Sequence, residues 1–363
     1  MAIKVVDLPH LQRKNAKGIR PAEIGWLAPL LATIVLSETE NETMALLLGP
    51  LLVLAFCLSQ ALRDVYFGSV FQHVGFFAVI LIAFSLSTVI FGAVTAVRTP
   101  GALGILRDQL STVLAINVTT ALAWTCYFFA LTHLEPSIVN TVHSGMGPLT
   151  VIALAACRVR LAKPSVMRRG ERFAYAGIAL SLAALWWVVL SGNSGLPDAS
   201  HATNLVGLVL LMISGSSITI SLLYCKRLHD LGVSAEAVTA VRYLLLILVA
   251  AGVEAFKGRM EGVGDFGGLA TLSMAATALI VLPLFALQVG IALTAPLTAH
   301  VIRSLGPVCV FALEQIDGRV VYSTPTLVCI LAYSAAAIAS NLSHGWPHAI
   351  RRQPDIVVTA KNS

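Results

Sequence analysis

The stretch "LTAPLTAHVIRSLGPV", residues 293–308, places His300 and Arg303 between two prolines in a strongly apolar part of the chain. Residues 134–149, "LEPSIVNTVHSGMGPL", have the same layout. Each follows or contains Ala-Leu-Thr, then has a proline where a helix can begin, then Gly-Pro about eleven residues on. Proline suits a first helical turn, because the N–H it lacks has no helical partner there. Two helices that start alike, one neutral and one cationic, suggest a duplicated unit.

The surrounding chain fits a membrane setting. Of 363 residues, 57% are hydrophobic and only 12% are charged, and the mean hydropathy is +0.84. A soluble domain carries about 25% charged residues. A bilayer core of about 30 Å takes roughly 20 apolar residues per helix. Runs of that order recur at 44–62, 65–97, 112–131, 137–157, 173–190, 205–225, 235–253, 269–294, 296–313 and 320–341. They are apolar on nearly every face, whereas membrane strands alternate. The fold expected is therefore an all-α polytopic membrane protein of about ten transmembrane helices. The second run is overlong, and the ninth follows the eighth almost without a loop. Residues 24–37 are apolar but short, and read as an interfacial segment.

The net charge of +6 reads as topology and not as a nucleic-acid patch. With ten spans and the N-terminus inside, 18 of the 24 basic residues fall in the termini and even-numbered loops. Four, Arg63, Lys257, Arg259 and Arg319, fall outside, and Arg242 and Arg303 lie within spans. That asymmetry predicts both termini in the cytoplasm, in the cell membrane or a bacterial inner membrane. Residues 1–23 contain no apolar signal-peptide core. Six scattered cysteines show no metal or redox spacing, so they read as packing residues, and no cofactor or metal is expected.

The two matching stretches open the fourth and ninth runs, each fourth in a set of five. A five-helix unit duplicated in tandem enters the membrane from opposite sides, giving an inverted repeat. The division is an N-terminal segment 1–43, a first unit 44–192, a linker 193–204, a second unit 205–343 and a tail 344–363. This arrangement resembles the drug/metabolite transporter superfamily, with its EamA-type exporters. The residues that carry the resemblance are the proline-started fourth and ninth helices with their internal Gly-Pro, and "TAVRYLLLILVAAG" at 239–252. The chain departs from it at "FQHVGF", 71–76, where an arginine is expected, and at "RVRLAK", 158–163, where a glutamate is expected; Glu314 and Asp317 stand near the second expected glutamate. The resemblance implies alternating access, a cavity lined by segments three, four, eight and nine, and proton-driven export.

Polar residues at helical spacing mark the candidate path. They are Asn117, Thr120, Trp124 and Tyr127 in segment three, Ser137, Asn140, Ser144 and Gly147 in segment four, and Ser214, Ser217, Ser221 and Tyr224 in segment six. Segment nine places Pro296, His300, Arg303, Pro307 and Glu314 on one face. Small polar stripes also serve helix packing, which is the weightier reading for segment six. Candidate substrate-binding residues are Arg303, His300, Trp124, Tyr127, Asn140, Ser144 and Gln288. Coupling or ion-pair candidates are His143, Arg242, Glu135 and Glu314, with Glu135 or Glu236 as a structural partner for Arg303. Pro148, Pro283 and Pro307 are helix-kink candidates.

A charge about 10 Å into a span needs a wet cavity or a counterion. The function expected is a secondary transporter, with an exporter of a small polar or anionic metabolite favoured and no catalytic residues. Two alternatives stand beside it. One is an antiporter of phosphorylated or nucleotide-activated metabolites, which needs Arg242 and Arg303 to converge. The other is a membrane scaffold or embedded enzyme, although no HExxH, GxSxG or nucleotide loop is present. Partners are the bilayer and a small-molecule substrate, with protons and a second copy of the chain as open options, and no nucleic acid.

Overall fold

The computed structural model describes residues 41–350, except 72, 160–168, 197–199 and 258–265; within 284–295 it describes only 286, 287, 290 and 294. Residues 24–37 and Gln288 lie outside the described residues. The helices are α1 Asn41–Val70, α2 Phe76–Arg98, α3 Ala102–Asp108, α4 Leu110–His133, α5 Pro136–Ala156, α6 Arg169–Leu190 and α7 His201–Asp230. They continue as α8 Ala235–Val241, α9 Leu244–Lys257, α10 Phe266–Ala276, a π-helical turn Thr277–Val281, α11 Pro296–Ser304, α12 Gly306–Glu314 and α13 Thr324–Ile350. Among the described residues, taking α8 and α9 as one pass, eight helices are long and apolar enough to cross a membrane. The chain is a multi-pass membrane protein. Leu47, Leu51, Leu54, Leu58 and Leu62 form an exposed stripe along α1, the side a helix turns to lipid.

Three sequence expectations change. The break between the first two spans falls at residues 71–75, not at 63–64, so Arg63 and Asp64 lie inside α1. With the break there, the second span is an ordinary 23-residue helix. The run 296–313 is not one helix. It is two nine-residue helices that part at Leu305, and Pro307 starts the second of them where a kink was expected. The run 269–294 is likewise interrupted, because α10 gives way to the π turn.

Helix α4 packs along α7, α7 along α5, α6 along α13, and α2 along both α8 and α9. Helix α12 lies against α1 and α5, and α11 against α1 and α13. Glycine sets the closest of these approaches. A Cβ on Gly215 of α7 would stand 2.5 Å from the His143 carbonyl oxygen and 2.6 Å from Met146 Cβ on α5. No larger residue allows that backbone contact. Ser217 and Ser221 of α7 are buried, and Ser221 Oγ bonds Thr120 Oγ1 of α4 at 2.7 Å. The stripe of segment six is therefore packing, as its composition favours.

The seventh span is broken at Arg242–Tyr243, which frees backbone groups where no water can meet them. Asn117 of α4 closes that gap. Its Nδ2 donates to Val241 O at 2.8 Å, and its Oδ1 accepts from Leu245 N–H at 3.0 Å. Read from sequence as a candidate path residue, Asn117 is a splint for the neighbouring helix. Replacing it leaves a carbonyl and an N–H unpaired, at about 1–3 kcal/mol each. Asn117→Ala is expected to lower stability by about 2 kcal/mol or more, read as a fall in unfolding temperature in detergent; an unchanged midpoint would show that the break is held otherwise.

Candidate functional site

A cavity of about 150 Å³ lies between the helices. Arg63, Trp124, Tyr127, His143, Arg242 and Arg303 line it with aliphatic groups such as Leu222 and Leu279. Segments one, three, four, six, seven, eight and nine all contribute to it. A larger hollow of about 340 Å³ is lined by Ser273, Met274, Thr277, Ala278 and Leu282. All of those come from one segment and none is charged, so it lacks the convergent charged groups of the smaller cavity.

One wall is built on a buried ion pair. Arg63 and Asp64 are 7% and 0% exposed. Neighbours on a helix point about 100° apart, so the arginine folds back to reach the carboxylate. Its Nη2 and Nε lie 2.6 and 2.9 Å from Asp64 Oδ1. Asn140 Nδ2 of α5 donates to Asp64 Oδ2 at 2.8 Å, and Arg63 Nη2 donates to Tyr127 OH at 3.3 Å. The guanidinium carbon sits 5.4 Å from the Trp124 ring centroid and 5.5 Å from that of Tyr127. Such cation–π contacts contribute about 0.5–2 kcal/mol each. Asn140, expected to bind substrate, is thus engaged in orienting Asp64.

His143 is placed by Ser214. The serine has one proton, which it donates to Ala123 O at 2.7 Å. The 3.0 Å contact between Ser214 Oγ and His143 Nδ1 then requires an N–H on Nδ1. A neutral His143 therefore keeps Nε2 as an acceptor. Its ring stands edge-on to Tyr127 at 4.7 Å. Ser144, one residue on, is exposed and does not line the cavity. On α5 the face that matters is Ser137–Asn140–His143, and not Ser137–Asn140–Ser144.

Among the described residues, the remaining cavity cations have no counterion. Arg242, at the break between α8 and α9, lies over the Tyr243 ring at 5.1 Å, and its Nε is buried with no hydrogen-bond partner. Trp124 Nε1 is also buried and unpartnered. Arg303 is exposed and lines the cavity, so it stands at the mouth. The structural salt bridge to Glu135 or Glu236 is not formed: neither pairs with Arg303. Pro283 lines the cavity, Pro148 lies inside α5, and the side chain of His300 lies outside the described residues. Glu135 and Glu314 meet at one end of the bundle, away from the cavity. Arg63 and Asp64 were missed because adjacent charges beside an apolar run look like a loop; the one available signal was apolar sequence on both sides.

A comparison with protein-family models gives no match, and a comparison with curated proteins gives none either.

Removing one member of a buried ion pair costs about 3–5 kcal/mol, because the other charge is stranded, while replacing both with apolar groups costs far less. Asp64→Asn is expected to destabilise the protein by that amount, and the double variant R63M/D64L to regain most of it. Equal unfolding midpoints for wild type and D64N would show the pair to be solvated.

Proposed function

We propose that the chain is a secondary transporter of a small anionic metabolite. One observation carries this reading: three guanidinium groups line a single cavity, and only one carboxylate answers them. Asp64 neutralises Arg63, which leaves Arg242 and Arg303 as two uncompensated cations among the described residues. Trp124 Nε1–H and Arg242 Nε–H add buried donors with no acceptor. At about 4 Å, a unit charge interacts with each guanidinium by roughly 4 kcal/mol at an effective dielectric of 20. That favours an anion by as much as it repels a cation.

Alternating access by two inverted five-segment units, as in the drug/metabolite transporter superfamily, is the architecture that goes with this reading. Its support is the packing pattern. Exchanging segments one to five with six to ten leaves the second–seventh, fourth–ninth and fifth–tenth contacts in place. The same exchange turns the fourth–sixth contact into first–ninth, and third–seventh into second–eighth, and all four occur. Both termini inside is the favoured orientation. With Arg63 moved into α1, even fewer basic residues remain on the outer side.

The convergence of Arg242 and Arg303 also favours the phosphorylated-metabolite antiporter. The size of the cavity narrows that option. Ligand pockets usually run to about 300–1,000 Å³, and this one is about 150 Å³. A phosphate or small organic acid suits it, and a nucleotide-activated metabolite does not. In proteoliposomes, the purified chain is expected to take up or exchange labelled phosphate, a short dicarboxylate or a triose phosphate. R242A is expected to cut the rate at least about tenfold, the size of effect when a buried charge partner of an anion is lost, and R303A, at the mouth, to lower the rate and its salt dependence, both without loss of protein from the membrane. Movement of cations only, or of anions equally well by both variants, would overturn the reading.

A further inference from the structure

Two glutamates are buried together where the links 134–135, 191–196 and 315–323 meet. Glu135 is 1% exposed and Glu314 0%. Glu135 immediately precedes α5 and Glu314 is the last residue of α12. Their carboxyl groups converge on one residue. Ser137 holds both: its N–H donates to Glu314 Oε2 at 2.9 Å, and its hydroxyl donates to Glu135 Oε1 at 3.2 Å. Gly195 N–H donates to Glu135 Oε2 at 2.7 Å, and Thr326 Oγ1 approaches the same oxygen at 3.4 Å. A side chain at Gly195 would run into Val321 O, so the link is pressed against the pair. Three of the four carboxyl oxygens are thereby met. Glu314 Oε1 is buried with no partner.

Among the described residues no cation pairs with either glutamate. Arg319, in the 315–323 link, meets Asp317 through Nε at 3.4 Å, and its Nη1 and Nη2 are buried without a hydrogen-bond partner. Arg63, deeper on α1, is engaged by Asp64. Gly195, Ser323 and Thr326 bring only neutral groups. Two ionised carboxylates in contact, out of water and without a counterion, are not stable, and one takes up a proton.

We infer that Glu135 and Glu314 form a proton-binding site, in which a single proton on Glu314 Oε1 is donated to Glu135 and ties segment nine to segment four. Helix ends decide which residue carries it. Glu135 stands at the N-terminus of α5, where the peptide dipoles favour an anion, while Glu314 ends α12, where they oppose one. On deprotonation the O–H bond of Glu314 breaks, the proton passes to water, and two carboxylates are left facing each other. Burial raises the Glu135 carboxyl above its ordinary value, against the hydrogen bonds from Gly195 and Ser137. A raised folded value means that the stabilisation is present at low pH and is lost as pH rises through it. This end of the bundle therefore loosens toward alkaline pH. That the same proton drives transport rests on the transport reading above; the site itself does not.

Infrared spectra of the full-length protein in lipid vesicles, titrated with pH, test the site without reading transport. The carbonyl stretch of a protonated carboxylic acid is expected in the wild type at neutral pH, disappearing at alkaline pH. E314Q is expected to remove this band. E135Q removes the facing charge, and is expected to shift the loss of the band by about one pH unit or more. No protonated acid in the wild type at neutral pH overturns the inference, and that spectrum needs no variant to fold. So does a band that survives E314Q, or one unmoved by E135Q. A failed transport assay leaves all of these results standing.

Discussion

A carboxylate with no exposure at all, Asp64, stands beside an arginine in the middle of an apolar helix. Burying such a pair costs several kcal/mol per ion, and attraction offsets that only if every remaining donor and acceptor is met. The neighbouring helices are arranged to meet them. Asn140 of α5 takes the second carboxylate oxygen, and Tyr127 of α4 takes the guanidinium. Trp124 and Tyr127 offer their ring faces. Helices α1, α4 and α5 are held in one relation by a single requirement, and the cavity opens on the far side of the same arginine.

Most of the polar residues in the spans turn out to be answered locally. Thr95, Thr119, Thr141, Ser181 and Thr219 each donate to the carbonyl four residues back. Asn117 splints a broken helix, and Thr120 pairs with Ser221. Polarity on a helix face is therefore a poor guide to a transport path. Hydrogen-bonding capacity left unmet after folding is a better one. By that measure Trp124 Nε1, Arg242 Nε, Glu314 Oε1, the Glu254 carboxylate and Arg319 Nη1 and Nη2 are among the groups that stand out, and Ser144 is not.

This explains what could be read from the sequence. Apolar length fixed the helices because a bilayer enforces it. Proline at the start of segments four and nine located their first turns, since backbone chemistry at that position is local. Trp124, Tyr127, His143, Arg242 and Arg303 reach one cavity because helical spacing and intramembrane charge are both visible in a string of residues. The break at 71–75 was not legible. Phe71, Val74 and Phe76 keep the run apolar, and Gln72, His73 and Gly75 are a weaker end signal than the adjacent charges Arg63 and Asp64. The roles of Asn140, Glu135 and Glu314 were not legible in full, because Asn140 meets Asp64 76 positions away, Glu135 meets Gly195 60 away, and Glu314 meets Ser137 177 away.

Two of the unmet needs among the described residues have opposite sign. The cavity holds two cations without counterions, and the glutamate pair holds two acids without a cation. They are joined by one face of α5: Ser137 grips Glu314, Asn140 grips Asp64, and His143 faces the cavity. Residues three apart on a helix move together, so a shift of α5 against α12 is felt at the arginines. On the transport reading proposed above, an anion in the cavity would lower the field there, and the proton inferred for the pair lowers it at the other end. Each event relieves a charge that the packed helices alone leave uncompensated. Coupling between them then needs no long chain of side chains, only a rigid helix with both contacts on one side.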